Sequence, residues 1–246
     1  KRDWSSDVCS SDLDNQAGLN TAEKILGFSL QSLMEQGPEA TLKMTAHTQP
    51  AILMHSWMVL TSLRDRLPMP HFVAGHSLGE YSACVASGVL TFEDALRTVY
   101  QRGKAMQSAV PEGQGTMAAM IGMSRDDVKA CCETAIQQTG GTVAPANFNG
   151  PGQIVIAGHT EAVRAAIEEA KKIRGKRAIE LPVSAPFHSS LMSPARQVLT
   201  PILEALPFRD ATVPLIQNVN ALPTQDGAQL REGLIQQIDH SVLWED

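Results

Sequence analysis

The sequence predicts an α/β chain in two parts: a larger body built on a parallel sheet, and an inserted βαββαβ subdomain. Three observations predict it. An apolar run at 71–75 passes through GHSLG directly into a helical pattern. Between residues 116 and 185 the apolar spacing switches between two and 3.6, in the order strand, helix, strand, strand, helix, strand. Amphipathic helical stripes lie on both sides of that stretch. The larger body is expected over 20–115 and 186–246 and the subdomain over 116–185.

Taken in order, Lys1 to Leu13 is polar, shows no periodicity and is similar to a translated sequencing adaptor. It is expected to be disordered and non-native. A helix is expected from Thr48, with Thr48 as its cap, Pro50 in its first turn and Ile52, Leu53, Trp57 and Leu60 at helical spacing. It should stop before Pro68. His71 to Gly75 reads as a buried strand, followed by a helix to about Ser87 with Gly88 in the left-handed position beyond it. Thr91 is expected to cap the next helix, whose buried stripe is Phe92, Leu96, Val99 and Met106, with Arg102 near its edge.

The subdomain follows. Met117 to Met123 is expected as a strand, Ser124 to Thr139 as a capped helix, and 142–149 and 153–158 as strands joined by GPG. Thr160 to Arg174 reads as a helix and Arg177 to Val183 as a strand. Such a unit closes as a four-stranded antiparallel sheet with two helices on one face, a ferredoxin-like arrangement. Beyond it come a helix over 189–206 containing Pro201, a strand near 213–219 and a helix near 228–238.

Composition narrows the function. A chain of 246 residues with 43% hydrophobic content can bury a core. A net charge of -6 provides no overall basic field for nucleic acid. The four cysteines, Cys9, Cys84, Cys131 and Cys132, have neither metal-site nor disulfide-framework spacing, which fits a reducing cytoplasm. No apolar run is long enough for a membrane span, and the opening segment lacks the apolar core of a signal peptide. The protein is expected to be a soluble, cytoplasmic monomer.

GHSLG fits G-x-S-x-G, in which glycines relieve a sharp strand-to-helix turn and expose the serine oxygen above a sheet. That context makes the larger body α/β-hydrolase-like. Ser77 could equally be a helix cap, and both roles could hold together. An oxyanion here would meet the first-turn N–H groups, that of Leu78 especially, and the positive end of the helix dipole. A serine nucleophile needs a base, and seven histidines compete. His47, His55, His71, His76, His159 and His240 stay open on spacing alone. His188 stands out because its loop, stiffened by Pro186, lies where the subdomain returns to the larger body.

The segments LGFSLQSLMEQGPE, TQPAIL, AGHSLGEYSA, YQRGKAMQ, GTMAAMIG, NFNGPGQIVIAG, LPVSAPFHSSLM, TVPLIQNVN and VLW span Leu26 to Trp244. In these the chain resembles the malonyl-CoA:acyl carrier protein transacylase family. The resemblance implies a Ser77–His188 dyad, Arg102 as the partner of the substrate's free carboxylate, Gln237 as the carbonyl that orients the histidine, and Gln49 as a residue lining the site. It implies transfer of malonyl from malonyl-CoA to the phosphopantetheine thiol of acyl carrier protein in fatty acid biosynthesis, with no bound cofactor and no metal. Chemistry agrees: a planar guanidinium matches a carboxylate bidentately, and an uncharged acyl group would leave it unpaired.

The family also has an N-terminal strand leading into a GQGSQ loop, whose glutamine supplies a second oxyanion donor, and a C-terminal EVGPG-like loop, neither found here. The chain is therefore expected to be truncated at both ends, and the lost oxyanion donor to cost about a hundredfold in rate. Two other readings are an esterase of the α/β-hydrolase type and an inactive scaffold fragment. The esterase reading lacks an HGGG-like loop, and its candidate acids, Asp126 and Asp127, are explained by helix capping. The basic run KKIRGKR reads as a solvated helix end, and Asn147 and Asn149 as hairpin residues.

Overall fold

A computed structural model describes residues 13–63, 66–183 and 185–246. The opening segment, up to residue 12, lies outside the described residues. The chain runs α1 (Leu13–Leu26), α2 (Leu30–Gln36), α3 (Glu39–Leu42), α4 (Thr45–Leu63), β1 (Val73–Ala74), α5 (Leu78–Ala86) and α6 (Phe92–Ser108). It continues β2 (Gly115–Ile121), α7 (Arg125–Thr139), β3 (Val143–Gly150), β4 (Gln153–His159), α8 (Thr160–Lys171) and β5 (Arg177–Glu180). A 3-10 turn over Ser190–Met192 precedes α9 (Ser193–Glu204), β6 (Leu215–Ile216), β7 (Pro223–Thr224), α10 (Gly227–Gln237) and β8 (Val242–Leu243).

Two compact units result. The first holds the described residues up to Lys104 with Ile202–Ile216 and Pro223–Arg231; the second holds Ala105–Pro201, Gln217–Leu222 and Glu232–Asp246. The expected subdomain, 116–185, lies within the second.

In the first unit β1 pairs in parallel with β6, Val73 opposite Leu215 and Ala74 opposite Ile216, and β7 adds antiparallel on the far side of β6. Fold class is α/β as expected, with the parallel pair confined to two short strands. Helix α1 is absent from the sequence-based reading. It buries Leu19, Ala22 and Leu26 on one stripe, and its buried Asn15 donates to Ser62 Oγ at 3.0 Å and accepts from Thr61 Oγ1 at 2.8 Å on α4. Helix α4 starts three residues before the expected cap. Thr48 is therefore not a cap; its hydroxyl donates backward to the Leu42 and Met44 carbonyls at 2.5 and 3.1 Å. In α6, Thr91 caps as expected, accepting from Asp94 N–H at 3.1 Å. Phe92, Leu96, Val99 and Met106 are buried, and Arg102, expected at the stripe's edge, is buried with them at 2% exposure.

The second unit has the strand order β5-β2-β4-β3-β8. Its first four strands are antiparallel, the order in which a βαββαβ unit closes. Strand β8, not expected, extends the sheet by pairing in parallel with β3, Asn147 opposite Val242 and Phe148 opposite Leu243. Alternation along β2 and β4 sorts the residues onto two faces. Ala118, Met120, Ile154 and Ile156 pack with Val128, Cys131, Cys132, Ala162, Val163 and Ala166 of α7 and α8. Met117, Val155 and Ala157 point the other way, against Leu181, Val183 and Phe187. A capping box between Ser124 and Asp127 starts α7.

Candidate active site

Ser77 stands between β1 and α5 with φ 52° and ψ -104°. Among the described residues three non-glycines have positive φ, and two of them are Ser77 and His188, the latter at 58°. Such a conformation costs about 1–3 kcal/mol for a residue with a side chain and persists only where the surroundings impose it. At Ser77 the imposing feature is local. The strand enters the helix so tightly that a Cβ on Gly75 would lie 1.9 Å from the Gly79 carbonyl oxygen.

The serine side chain makes no capping hydrogen bond to α5. Its oxygen instead accepts from Arg102 Nη2 at 3.0 Å. The other arm of the guanidinium, Nη1, donates to Gln49 Oε1 at 2.8 Å, and Gln49 Nε2 donates to Thr45 Oγ1 at 3.0 Å. The Tyr81 ring, fully buried, faces the guanidinium with its centre 5.6 Å from Cζ. Burial lowers the Arg102 pKa below its ordinary value, and Tyr81 and the buried Glu80 oppose that fall. A cation taken out of water is costly unless donors and counter-charges are matched, and here both arms have acceptors.

Leu78 opens α5. The Gly79 N–H goes to His76 O at 2.8 Å and the Glu80 N–H to Ser77 O at 3.1 Å. No acceptor among the described residues takes the Leu78 N–H, so it is available to an anion beside Ser77.

In the second unit His188 is 5% exposed and its Nδ1 lies 2.8 Å from the main-chain oxygen of Gln237. A carbonyl only accepts, so Nδ1 carries a proton; in the neutral ring the lone pair is then on Nε2, the form a general base needs. The Gln237 side chain is also buried and donates to Asn218 Oδ1 at 3.3 Å, while the Asn218 carbonyl accepts from Leu243 N–H at 2.8 Å. That bond ties β8 to the histidine's support.

Of the residues singled out in the sequence, Ser77, Arg102 and Gln49 are joined by hydrogen bonds in the first unit, with Leu78 next to Ser77. His188 and Gln237 are joined in the second. Thr45 and Tyr81 were not anticipated. Thr45 and Gln49 are four apart, the spacing of neighbours on one helix face, but that signal appears only once α4 is known to begin at Thr45. No group of His, Cys, Asp or Glu among the described residues could hold a metal ion, and no described helix is long and apolar enough to cross a membrane.

Comparison with known proteins identifies the family. Residues 16–240 match the acyl transferase domain family. The malonyl CoA-acyl carrier protein transacylase of Salmonella typhimurium is 45% identical over 226 residues, covering 91% of this chain and 72% of the relative. That of Bacillus subtilis is 44% identical over 225 residues, with 92% and 71% covered. An acyl carrier protein S-malonyltransferase from Vibrio cholerae superposes with a TM-score of 0.93 at 38% identity, covering 98% of this chain and 78% of its own. A malonyl-transacylase solved in complex with its type II PKS acyl-carrier protein gives 0.92 at 39% identity, with 97% and 77% covered. The chain belongs to the acyl transferase domain family.

Proposed function

We propose that the protein transfers a malonyl group from malonyl-CoA to the phosphopantetheine thiol of acyl carrier protein, through a malonyl ester of Ser77, in fatty acid biosynthesis. One observation carries the reading: a buried guanidinium whose Nη2 lies 3.0 Å from the Ser77 oxygen. In a malonyl ester the free carboxylate is one methylene from the acyl carbon, so a cation beside the nucleophile lies where that carboxylate falls. Acetyl offers it nothing. The names of the relatives give the same substrate and acceptor, and one structural neighbour is bound to an acyl-carrier protein.

The steps follow from the residues. His188, held with its lone pair on Nε2, takes the Ser77 proton as Oγ bonds to the thioester carbon. The electron pair displaced onto the carbonyl oxygen is held by the Leu78 N–H and the N-terminal end of α5. As the carbonyl re-forms, the carbon–sulfur bond breaks and the CoA sulfur leaves with the proton from His188. The carrier's pantetheine thiol then enters, gives its proton to His188 and attacks the malonyl ester. Ser77 leaves with that proton, and malonyl is again a thioester. The same reading places the protein in the cytoplasm, and the scheme calls for no resident cofactor.

Intact-mass spectrometry after brief exposure to malonyl-CoA tests this. The chain should gain the mass of one malonyl group on Ser77, none in Ser77→Ala, and the label should form about a thousandfold more slowly in His188→Ala. CoA release with no retained label would identify a hydrolase instead, and neither release nor label would sink both readings.

A further inference from the structure

We propose that Thr45 and Gly103 are positioning residues for acyl choice: they set the Gln49 amide and, through it, the orientation of the Arg102 fork. The inference rests on the reading of Arg102 as the partner of the substrate carboxylate.

The two ends of a glutamine amide are nearly equal in size but opposite in hydrogen bonding. Turned the wrong way, the Gln49 NH2 would face the guanidinium, donor against donor. Thr45 sits one turn earlier on α4, and its Oγ1 takes the Nε2 hydrogen at 3.0 Å, which leaves Oε1 for Arg102 Nη1 at 2.8 Å. Gln49 is 5% exposed, so an amide deprived of this partner has little water to replace it.

Gly103 supplies the distance. It follows Arg102 on α6, and a Cβ there would lie 2.5 Å from the Thr45 carbonyl oxygen and 2.6 Å from the Ala46 Cα. Both are backbone atoms, which cannot swing aside. Helix α6 thus rests on the first turn of α4 at a separation only glycine permits, and that closeness brings Nη1 within reach of Gln49. With Nη1 held at Gln49, the planar guanidinium turns Nη2 toward Ser77 Oγ, 3.0 Å away. A carboxylate bound to a fork is sensitive to its direction, and misplacement by about 1 Å can cost up to a hundredfold. Thr45 and Gly103 act through Arg102 and are not catalytic.

The test uses the whole chain with Thr45→Val, Thr45→Ser and Gly103→Ala. Nitrogen-15 NMR of the arginine guanidinium groups, with the Arg102 signals assigned by Arg102→Lys, reads the positioning directly. Separate, slowly exchanging Nη1 and Nη2 signals are expected in the parent and in Thr45→Ser, and averaged signals in Thr45→Val and Gly103→Ala. Calorimetry on the Ser77→Ala background, where no acyl group can be transferred, reads the choice. The ratio of malonyl-CoA to acetyl-CoA affinity should fall about tenfold in Thr45→Val and Gly103→Ala, with acetyl-CoA affinity unchanged and Thr45→Ser restoring the ratio. An unchanged ratio in Thr45→Val, or equal losses for both esters, overturns the proposal. A parent with no malonyl preference overturns the proposed function instead, and the guanidinium signals still decide whether Thr45 and Gly103 hold the fork.

Discussion

A Cβ on Gly75 would lie 1.9 Å from the Gly79 carbonyl oxygen, while one on Gly79 itself meets nothing within 4 Å. The two glycines of GHSLG are therefore unequal: Gly75 is required by the close approach, and Gly79 is required by no contact of its own. Gly75→Ala should destabilise the chain by about 3 kcal/mol or more, because strand and helix must part. Gly79→Ala should be neutral or stabilise by up to about 1 kcal/mol, since alanine loses less freedom in a helix. Urea unfolding of both variants checks this, and equal losses would refute it.

Arg102→Lys keeps the charge but loses the fork, so one ammonium group must replace arms that now reach both Gln49 and Ser77. Malonyl loading should fall about a hundredfold, with acetyl loading changed by only a few-fold. Intact-mass time courses with the two CoA esters measure the split. Equal losses would show that the arginine serves the fold and not the acyl choice.

The 2.8 Å contact from His188 Nδ1 to the Gln237 carbonyl fixes the tautomer. Long-range proton–nitrogen NMR spectra of neutral His188 should show a protonated Nδ1 and a bare Nε2. The opposite tautomer would remove His188 as the base in the proposed scheme.

The buried thiols should be inert. Burial pushes the Cys84 thiol well above its ordinary value, with Glu80 adding to it, and burial pushes Cys132 up to about 12, with Cys131 and Glu133 adding to it. At pH 8 iodoacetamide should label neither until the chain is unfolded, as site-resolved peptide masses would show. A thiol raised in the folded state favours folding fully below the ordinary value of 9.0. For Cys132 that contribution is lost as pH rises from there through about 12, so the midpoint urea concentration should decline over that range. Rapid native labelling of Cys84 would contradict the burial.

Much of the architecture was legible because it is written in local spacing. The βαββαβ order follows from alternation along β2 and β4, from the stripes of α7 and α8 and from the capping box of α7. The turn at Ser77 follows from an apolar run meeting a helix across two glycines. Helix α1 was not legible, since its polar Asn15 is buried only because Thr61 and Ser62, more than forty residues away, satisfy its amide. The start of α4 was misplaced because Thr48 has a capping residue's chemistry but spends its hydroxyl on carbonyls behind it. Strand β8 has two residues, too few for any period, and exists because β3 offers an edge.

By itself the sequence determined which groups are present and the local geometry around them: a serine on a strand-to-helix turn, an arginine one helix further on, and a histidine after a proline-stiffened loop. Only the tertiary structure decided what those groups do to one another. It buried Arg102 and divided its two arms between Ser77 and Gln49, and it placed the Gln237 carbonyl on Nδ1 of His188. Hydrogen bonds and desolvation act over about 3 Å of space and take no account of chain separation, so partners as far apart in sequence as Gln49 and Arg102 leave no mark in any local period.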